Sequence, residues 1–159
     1  MPLLIRPATP EDRAFLSQMA ERLAHFDAPP AWRTAEQIAS GDRRDMLSAL
    51  DSPPAGSALM VAELGGIRVG CLHVLTKIDF FTERPHGHIS VIAVSQTAEG
   101  RGVGRALMAW ADDWARSLGH DHLTLNLFPA NTRARALYER EGFALDMLSM
   151  RKDLTRTPS

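Results

Sequence analysis

Apolar residues recur along the chain at two different spacings, and these spacings assign most of its elements. Residues 3–9, LLIRPAT, read as a short strand. The next four residues carry helix-start chemistry. Thr9 has a hydroxyl able to cap, Pro10 takes the first helical position, and Glu11 and Asp12 sit at the positive helix end. Phe15, Met19, Leu23 and Phe26 follow at helical spacing until DAPPAW breaks the run. A second helix is predicted over 34–50, with Ile38, Met46, Leu47 and Leu50 apolar, and DSPPAGS ends it.

Strands come next. Residues 58–64 and 67–80 flank a Gly-Gly hairpin turn, 81–87 form a polar loop, and 88–94 are a further strand. After three closely spaced glycines a helix is predicted over 102–118, stopped by Gly119. Residues 122–128 alternate leucines as a strand does. Asn131 caps a helix over 132–141, and Gly142 stands where a left-handed C-terminal residue belongs. Residues 144–154 read as a last strand. The order β-α-α-β-β-β-α-β-α-β predicts an α+β sheet, antiparallel early and partly parallel late.

Composition narrows this little. The 159 residues fit one domain, 1–159 with a loose tail at 154–159, and no repeat or low-complexity segment interrupts it. A formal net charge of −1 argues against a nucleic-acid protein held by bulk positive charge. The start MPLLIRPATPED lacks a charged leader and a long apolar run, and no window is apolar enough to span a bilayer. The expectation is a cytoplasmic protein with no membrane partner. The single cysteine, Cys71, cannot form an internal disulfide or a multi-cysteine metal site, and no metal is expected. Its strand context, GCLHVL, favours a buried small hydrophobe over a reactive thiol.

The candidate chemistry centres on EGRGVGRALM, residues 99–108. Gly100, Gly102 and Gly104 lie between a strand and a helix, where the first helical turn leaves backbone N–H groups without partners. Glycines let that backbone approach an anion, and Arg101 and Arg105 flank the turn. A phosphate site and a plain strand-to-helix connection are both compatible with this spacing. A dinucleotide fingerprint would need glycine at Arg105, and a P-loop would need a Gly-Lys-Ser/Thr end that the chain lacks.

The stretch VIAVSQTAEGRGVGRAL resembles motif A of the GCN5-related N-acetyltransferases (GNAT): a strand ending in AV, then Gln or Arg, two residues, Gly, one residue, Gly or Ala, then a helix. IRPATPEDRAFL is similar to the family's first strand and helix start. NTRARALYEREGF matches its motif B at every position. The resemblance covers residues 4–154. It implies a mixed, mostly antiparallel sheet of six to seven strands flanked by four helices and splayed between the fourth and fifth strands.

It also implies acetyl transfer from acetyl-coenzyme A to a primary amine in a ternary complex, with coenzyme A as product. The pyrophosphate would rest on Glu99, Gly100, Arg101, Gly102, Val103, Gly104 and Arg105. The pantetheine arm would pair with backbone at Ile92, Ala93 and Val94 like an added strand. An N–H near Val94 would polarise the thioester carbonyl. From motif B, Asn131 and Ala134 would contact the cofactor, and Tyr138 would protonate the departing thiolate. A phenol of pKa about 10 can donate to a thiolate of pKa about 8.5. The alternative for Tyr138 is a core tyrosine beside Leu137 and Phe143.

Two departures stand out. Glu99 is acidic where the family carries Gln or Arg. Ser90 occupies the strand position where many members have a glutamate base. His86, His88 and Ser90 alternate onto one face, so His88 or His86 is a candidate proton relay; a surface or loop histidine is the alternative reading. The acceptor pocket would be lined by Phe26, Asp27, Trp32, Asp79, Phe80, Phe81 and Asn126. Asp27 and Asp79 could draw a cationic amine. The sequence does not name the acceptor, which is a small molecule, a peptide or a protein, nor the acyl-chain length or the oligomeric state, although family members often dimerise. A catalytically silent acyl-coenzyme A sensor is the competing reading, supported by the missing strand glutamate.

Overall fold

The computed structural model describes residues 2–26 and 30–155. Asp27 lies outside the described residues. Strand β1 (Leu3–Pro7) is followed by helices α1 (Arg13–Leu23) and α2 (Ala35–Asp51). Strands β2 (Ala58–Leu64), β3 (Ile67–Ile78) and β4 (Pro85–Val94) come next, then α3 (Val103–Ser117), β5 (Leu123–Leu125) and α4 (Thr132–Arg140). The five strands lie in chain order in one sheet. The first three pairings are antiparallel and β4–β5 is parallel.

The α+β class and the mixed sheet are as expected; the strand number is not. Five strands are present among the described residues, where six to seven were expected, because residues 144–154 form no strand. Leu145 and Met147 alternate against Leu148 and Met150, so the segment has no single apolar face to bury. All four side chains are exposed. β4 starts earlier than expected, at Pro85. A proline is tolerated at the first residue of a strand because its missing N–H costs the ladder least there.

Period-2 alternation in the strands splits the core into two layers. Met60, Ala62, Leu72 and Val74 pack with Val103, Leu107 and Ala111 of α3. Val61, Cys71, Val91 and Ala93 face the other way, onto Leu16, Met19 and Ala20 of α1 and Met46 of α2. Cys71 is fully buried, and burial pushes its thiol up to about 12, which leaves it inert as a nucleophile. Gly70 lets α3 approach. A Cβ there would stand 2.9 Å from the Ala93 carbonyl oxygen and 3.2 Å from Leu107 and Val103.

A buried carboxylate fixes the first turn to the sheet. Asp12 accepts from both terminal nitrogens of Arg6 at 2.8 and 2.9 Å, from the Thr9 N–H at 2.8 Å and from Arg68 Nε at 2.6 Å. These charge-assisted bonds hold its carboxyl well below the usual carboxylate range, the Arg6 contact contributing most. No helix among the described residues is long and apolar enough to cross a membrane.

Candidate functional site

The site begins with a bulge. His73 pairs with Val91 and Val74 with Ile89, so Ser90 has no partner on β3. The extra residue turns Ser90 and Val91 toward the same helical layer: the Ser90 hydroxyl donates to Asp45 on α2, and Val91 packs with α1 and α2. The parallel ladder to β5 ends at the same place, its last pair being Ile89 with Leu125. Beyond it the two strands part, and the expected splay is present.

The phase of the β3–β4 ladder sets what faces this gap. The Ser95 N–H donates to the Val69 carbonyl at 2.7 Å. Gly70–Val94 and Leu72–Ile92 are therefore non-hydrogen-bonded pairs, whose N–H and C=O groups point away from β3. Ile92 and Val94 thus turn backbone groups into the splay. One is already engaged, since Arg22 Nε donates to the Val94 carbonyl.

Beyond Val94 the chain makes a single 3-10 turn, Gln96–Ala98, and enters α3 through Gly100 and Gly102. Their φ values of +77° and +80° are left-handed, a conformation glycine adopts without a Cβ penalty. Gly102 is the N-cap residue and provides no side-chain cap. Ala106 is the first residue to donate into the helix, to the Gly102 carbonyl at 3.0 Å. The N–H groups of Val103, Gly104 and Arg105 thus form the uncapped positive end of a 15-residue helix. Glu99 does not repel an anion alone, because its carboxylate is ion-paired to Arg22 of α1. Arg105 is mostly exposed, 3.5 Å from Glu141.

A cavity of about 440 Å³ opens beneath the splay. Its walls bring together Phe26, Ile92, Asn126, Asn131 and Tyr138, which were singled out from the sequence, with Arg33, Asp42, Ser90 and Phe128. Asn131 caps α4 by accepting from the Ala134 N–H at 3.3 Å. Two turns along, Tyr138 meets Phe143 edge-to-face at 5.9 Å, and burial raises its phenol above the ordinary value. Phe26 and Phe128 pack edge-to-face at 5.8 Å, and the Arg33 guanidinium lies 5.5 Å from the Phe128 ring centre.

An acidic pair stands on α2, and one member of it, Asp42, lines the cavity. Asp45 accepts from His73 at 2.6 Å and from Ser90 at 2.9 Å. Burial opposes its charge, but those two bonds keep its carboxyl below the ordinary value. Asp42 forms no hydrogen bond or ion pair among the described residues. Burial, then the neighbouring charge of Asp45, pushes its carboxyl up to about 6.

The other expected site residues stand elsewhere. His88 is buried outside the cavity wall, its Nδ1 2.7 Å from Thr124 Oγ1. Burial first, then the charge of Lys77, lowers it to about 4, which makes it a weak base. His86 stacks on His122 at 4.8 Å. Trp32 is 54% exposed beneath the Arg151 guanidinium. Asp79 caps its own loop, accepting from the Phe81 and Thr82 N–H groups. Phe80 and Phe81 are exposed. Asp42, Asp45 and Arg22 were missed. A signal existed for the acids: with Ile38, Met46 and Ala49 they fall on one stripe of α2, so two carboxylates occupy core-facing positions. Nothing in the local pattern marks Arg22.

A second cavity of about 310 Å³ lies away from the splay, between α3, the residues before β5 and the turn after α4.

The sequence profile of the acetyltransferase (GNAT) family matches residues 18–143. The chain is similar to a mycothiol acetyltransferase of Salinispora tropica, 34% identical over 146 residues, a match covering 87% of this chain and 43% of that protein. It spans less than half the length of each curated mycothiol acetyltransferase it matches. Among solved structures, a GCN5-related N-acetyltransferase from Ralstonia eutropha superposes with a TM-score of 0.71 at 20% identity, covering 98% of this chain and all of that one. An aminoglycoside N-acetyltransferase in complex with CoA gives a TM-score of 0.69 at 16% identity, over 96% of this chain and 95% of that one. At those identities the likeness concerns the fold alone.

Proposed function

Because the chain belongs to the acetyltransferase (GNAT) family, we propose that it is an acyl-coenzyme A-dependent N-acetyltransferase that moves an acetyl group to a primary amine in a ternary complex. The carrying observation is a convergence: an uncapped helix N-terminus, inward-facing strand backbone and a phenol-lined cavity meet at one splay.

The residues present fit the donor. The N–H groups from Gly102 to Arg105 and the positive end of α3 suit a pyrophosphate, and left-handed Gly100 and Gly102 leave the approach open, with no atom within 4 Å of a Cβ built at either. Arg22 neutralises Glu99 beside that cradle, so the acidic departure does not repel the ligand. Ile92 and the Val94 N–H offer strand-like pairing to an extended amide arm. When bound, the donor supplies an electrophilic thioester carbonyl and a thiolate leaving group.

The chain's own groups do the rest. The Val94 N–H polarises the carbonyl, Asn131 and Ala134 hold the start of α4 against the donor, and Tyr138 Oη gives a proton to sulfur. Burial of Tyr138 keeps the phenol protonated at neutral pH, the state a general acid needs. Phe26, Asn126 and Phe128 form the acceptor side. The likeness to the mycothiol acetyltransferases supports a small-molecule amine.

Thiol release from acetyl-coenzyme A, measured across a panel of small amines and peptides, tests the reading. Acceptor-dependent release is expected. Tight coenzyme A binding with no release against any amine favours the silent sensor instead.

A further inference from the structure

The site as described lacks a group to deprotonate the acceptor. Ser90 stands where a carboxylate base is expected, and its hydroxyl is spent on Asp45. His88 lies outside the cavity wall. Yet among the described residues the cavity wall contains one carboxylate, and it comes from a helix, not from the strand. Asp42 on α2, the Ser90–Ile92 stretch of β4 and Tyr138 on α4 all line this one cavity.

We propose that Asp42 is the catalytic residue that takes the proton from the acceptor's ammonium group. This rests on the amine-acetyltransferase reading above. Three observations carry it. Asp42 faces the cavity and makes no hydrogen bond or ion pair among the described residues, so its oxygens are free to accept. The adjacent carboxylate, Asp45, lies outside the cavity wall, and His73 and Ser90 both bond its Oδ2 and hold it in place. It therefore stays charged, and its charge raises the proton affinity of Asp42 instead of competing for the substrate. That places Asp42 near 6, close to the operating range of a general base.

The proton count closes. The Asp42 carboxylate takes one proton from R–NH3+, freeing the nitrogen lone pair. That pair forms the C–N bond, the C–S bond breaks with its electrons on sulfur, and Tyr138 gives sulfur a proton. The second nitrogen proton returns through water to the Tyr138 phenolate, and Asp42 releases its own to solvent. The products are an amide, a thiol and one proton.

The charged and titratable groups around Asp42 are Asp45 on its own helix, Cys71 on β3, Arg33 ahead of α2 and Tyr138 on α4. His73 and His88 act through Asp45. Glu21 of α1 is paired with Arg43.

Two probe amines of similar size separate the role from mere packing. Ethylamine is a cation at pH 7, whereas 2,2,2-trifluoroethylamine is already mostly neutral. Asp42→Asn is expected to lower kcat/KM for ethylamine by about 100-fold and for trifluoroethylamine by less than about threefold. Asp42→Glu should restore part of the ethylamine rate. Acetyl-coenzyme A affinity is measured on each variant as the folding control, and Asp42→Ser repeats the comparison with a smaller side chain. Equal losses on both amines, or none, overturn the assignment. Wild-type protein that binds acetyl-coenzyme A but acetylates neither amine refutes the amine-acceptor reading, and the role of Asp42 falls with it.

Discussion

Asp42→Asn carries a prediction about folding that is independent of turnover. The wild-type carboxyl moves from an ordinary 3.8 to about 6 in the folded chain, mainly through burial and then through the charge of Asp45. A carboxylate with a raised folded pKa binds more protons folded than unfolded between those values, so stability falls as pH rises through that window and is lowest above it. Each pH unit is worth about 1.4 kcal/mol, which sets a ceiling of about 3 kcal/mol. Solvent reaches this half-buried group, and screening reduces the expected penalty to about 1–2 kcal/mol. Asparagine keeps the shape and removes the charge. Urea denaturation followed by circular dichroism across pH 4 to 8 should show the variant more stable by about 1–2 kcal/mol at pH 7. The gain should shrink to a small remainder near pH 4, where the folded carboxyl is protonated and the unfolded one is close to its ordinary value of 3.8. A gain as large at pH 4 as at pH 7, or none at pH 7, refutes the electrostatic argument. A variant that is more stable yet slower is the trade expected where a charge is held against its environment for function.

Other substitutions probe separate parts of the account. Tyr138→Phe should lower acetyl-transfer turnover at least about ten-fold and leave coenzyme A affinity nearly intact, since only the donated proton is lost; unchanged turnover in a stopped thiol assay removes Tyr138 from the mechanism. Gly102→Val puts a β-branched side chain at φ +80°; calorimetric titration should show coenzyme A binding weakened by more than about ten-fold, through strain of about 1–3 kcal/mol in the cradle. Asp12→Ala strips the partner from Arg6 and Arg68 and should cost about 3 kcal/mol of unfolding free energy at pH 7. Because the Asp12 carboxyl is depressed in the folded state, its contribution is full above the ordinary carboxylate value and fades only in strong acid; a variant as stable as wild type at neutral pH contradicts that.

The parts of the fold legible in the sequence were those written in local periodicity and turn chemistry. Asn131 caps α4 as expected, and α2 starts within a residue of its expected bound, Thr34 accepting from the Gln37 N–H at 3.1 Å. The glycine turn and the motif B helix stand within a residue of their expected bounds. What local pattern could not supply was the pairing of distant groups. Arg22 and Glu99 are 77 residues apart, and Asp45 and Ser90 are 45 apart. The strand at 144–154 failed for a related reason: apolar residues predict burial only where a neighbour exists to receive them. The bulge at Ser90 was invisible too, since one extra residue in a strand leaves composition and near-alternation unchanged.

A crystal structure of the chain with coenzyme A tests the central claim most directly. The account predicts pyrophosphate oxygens on the N–H groups from Gly102 to Arg105, the pantetheine arm against Ile92 and Val94, and the sulfur within hydrogen-bonding reach of Tyr138 Oη. Coenzyme A seated elsewhere, for instance in the second cavity beside His120 and Glu141, or bound with its sulfur turned away from Tyr138, contradicts it.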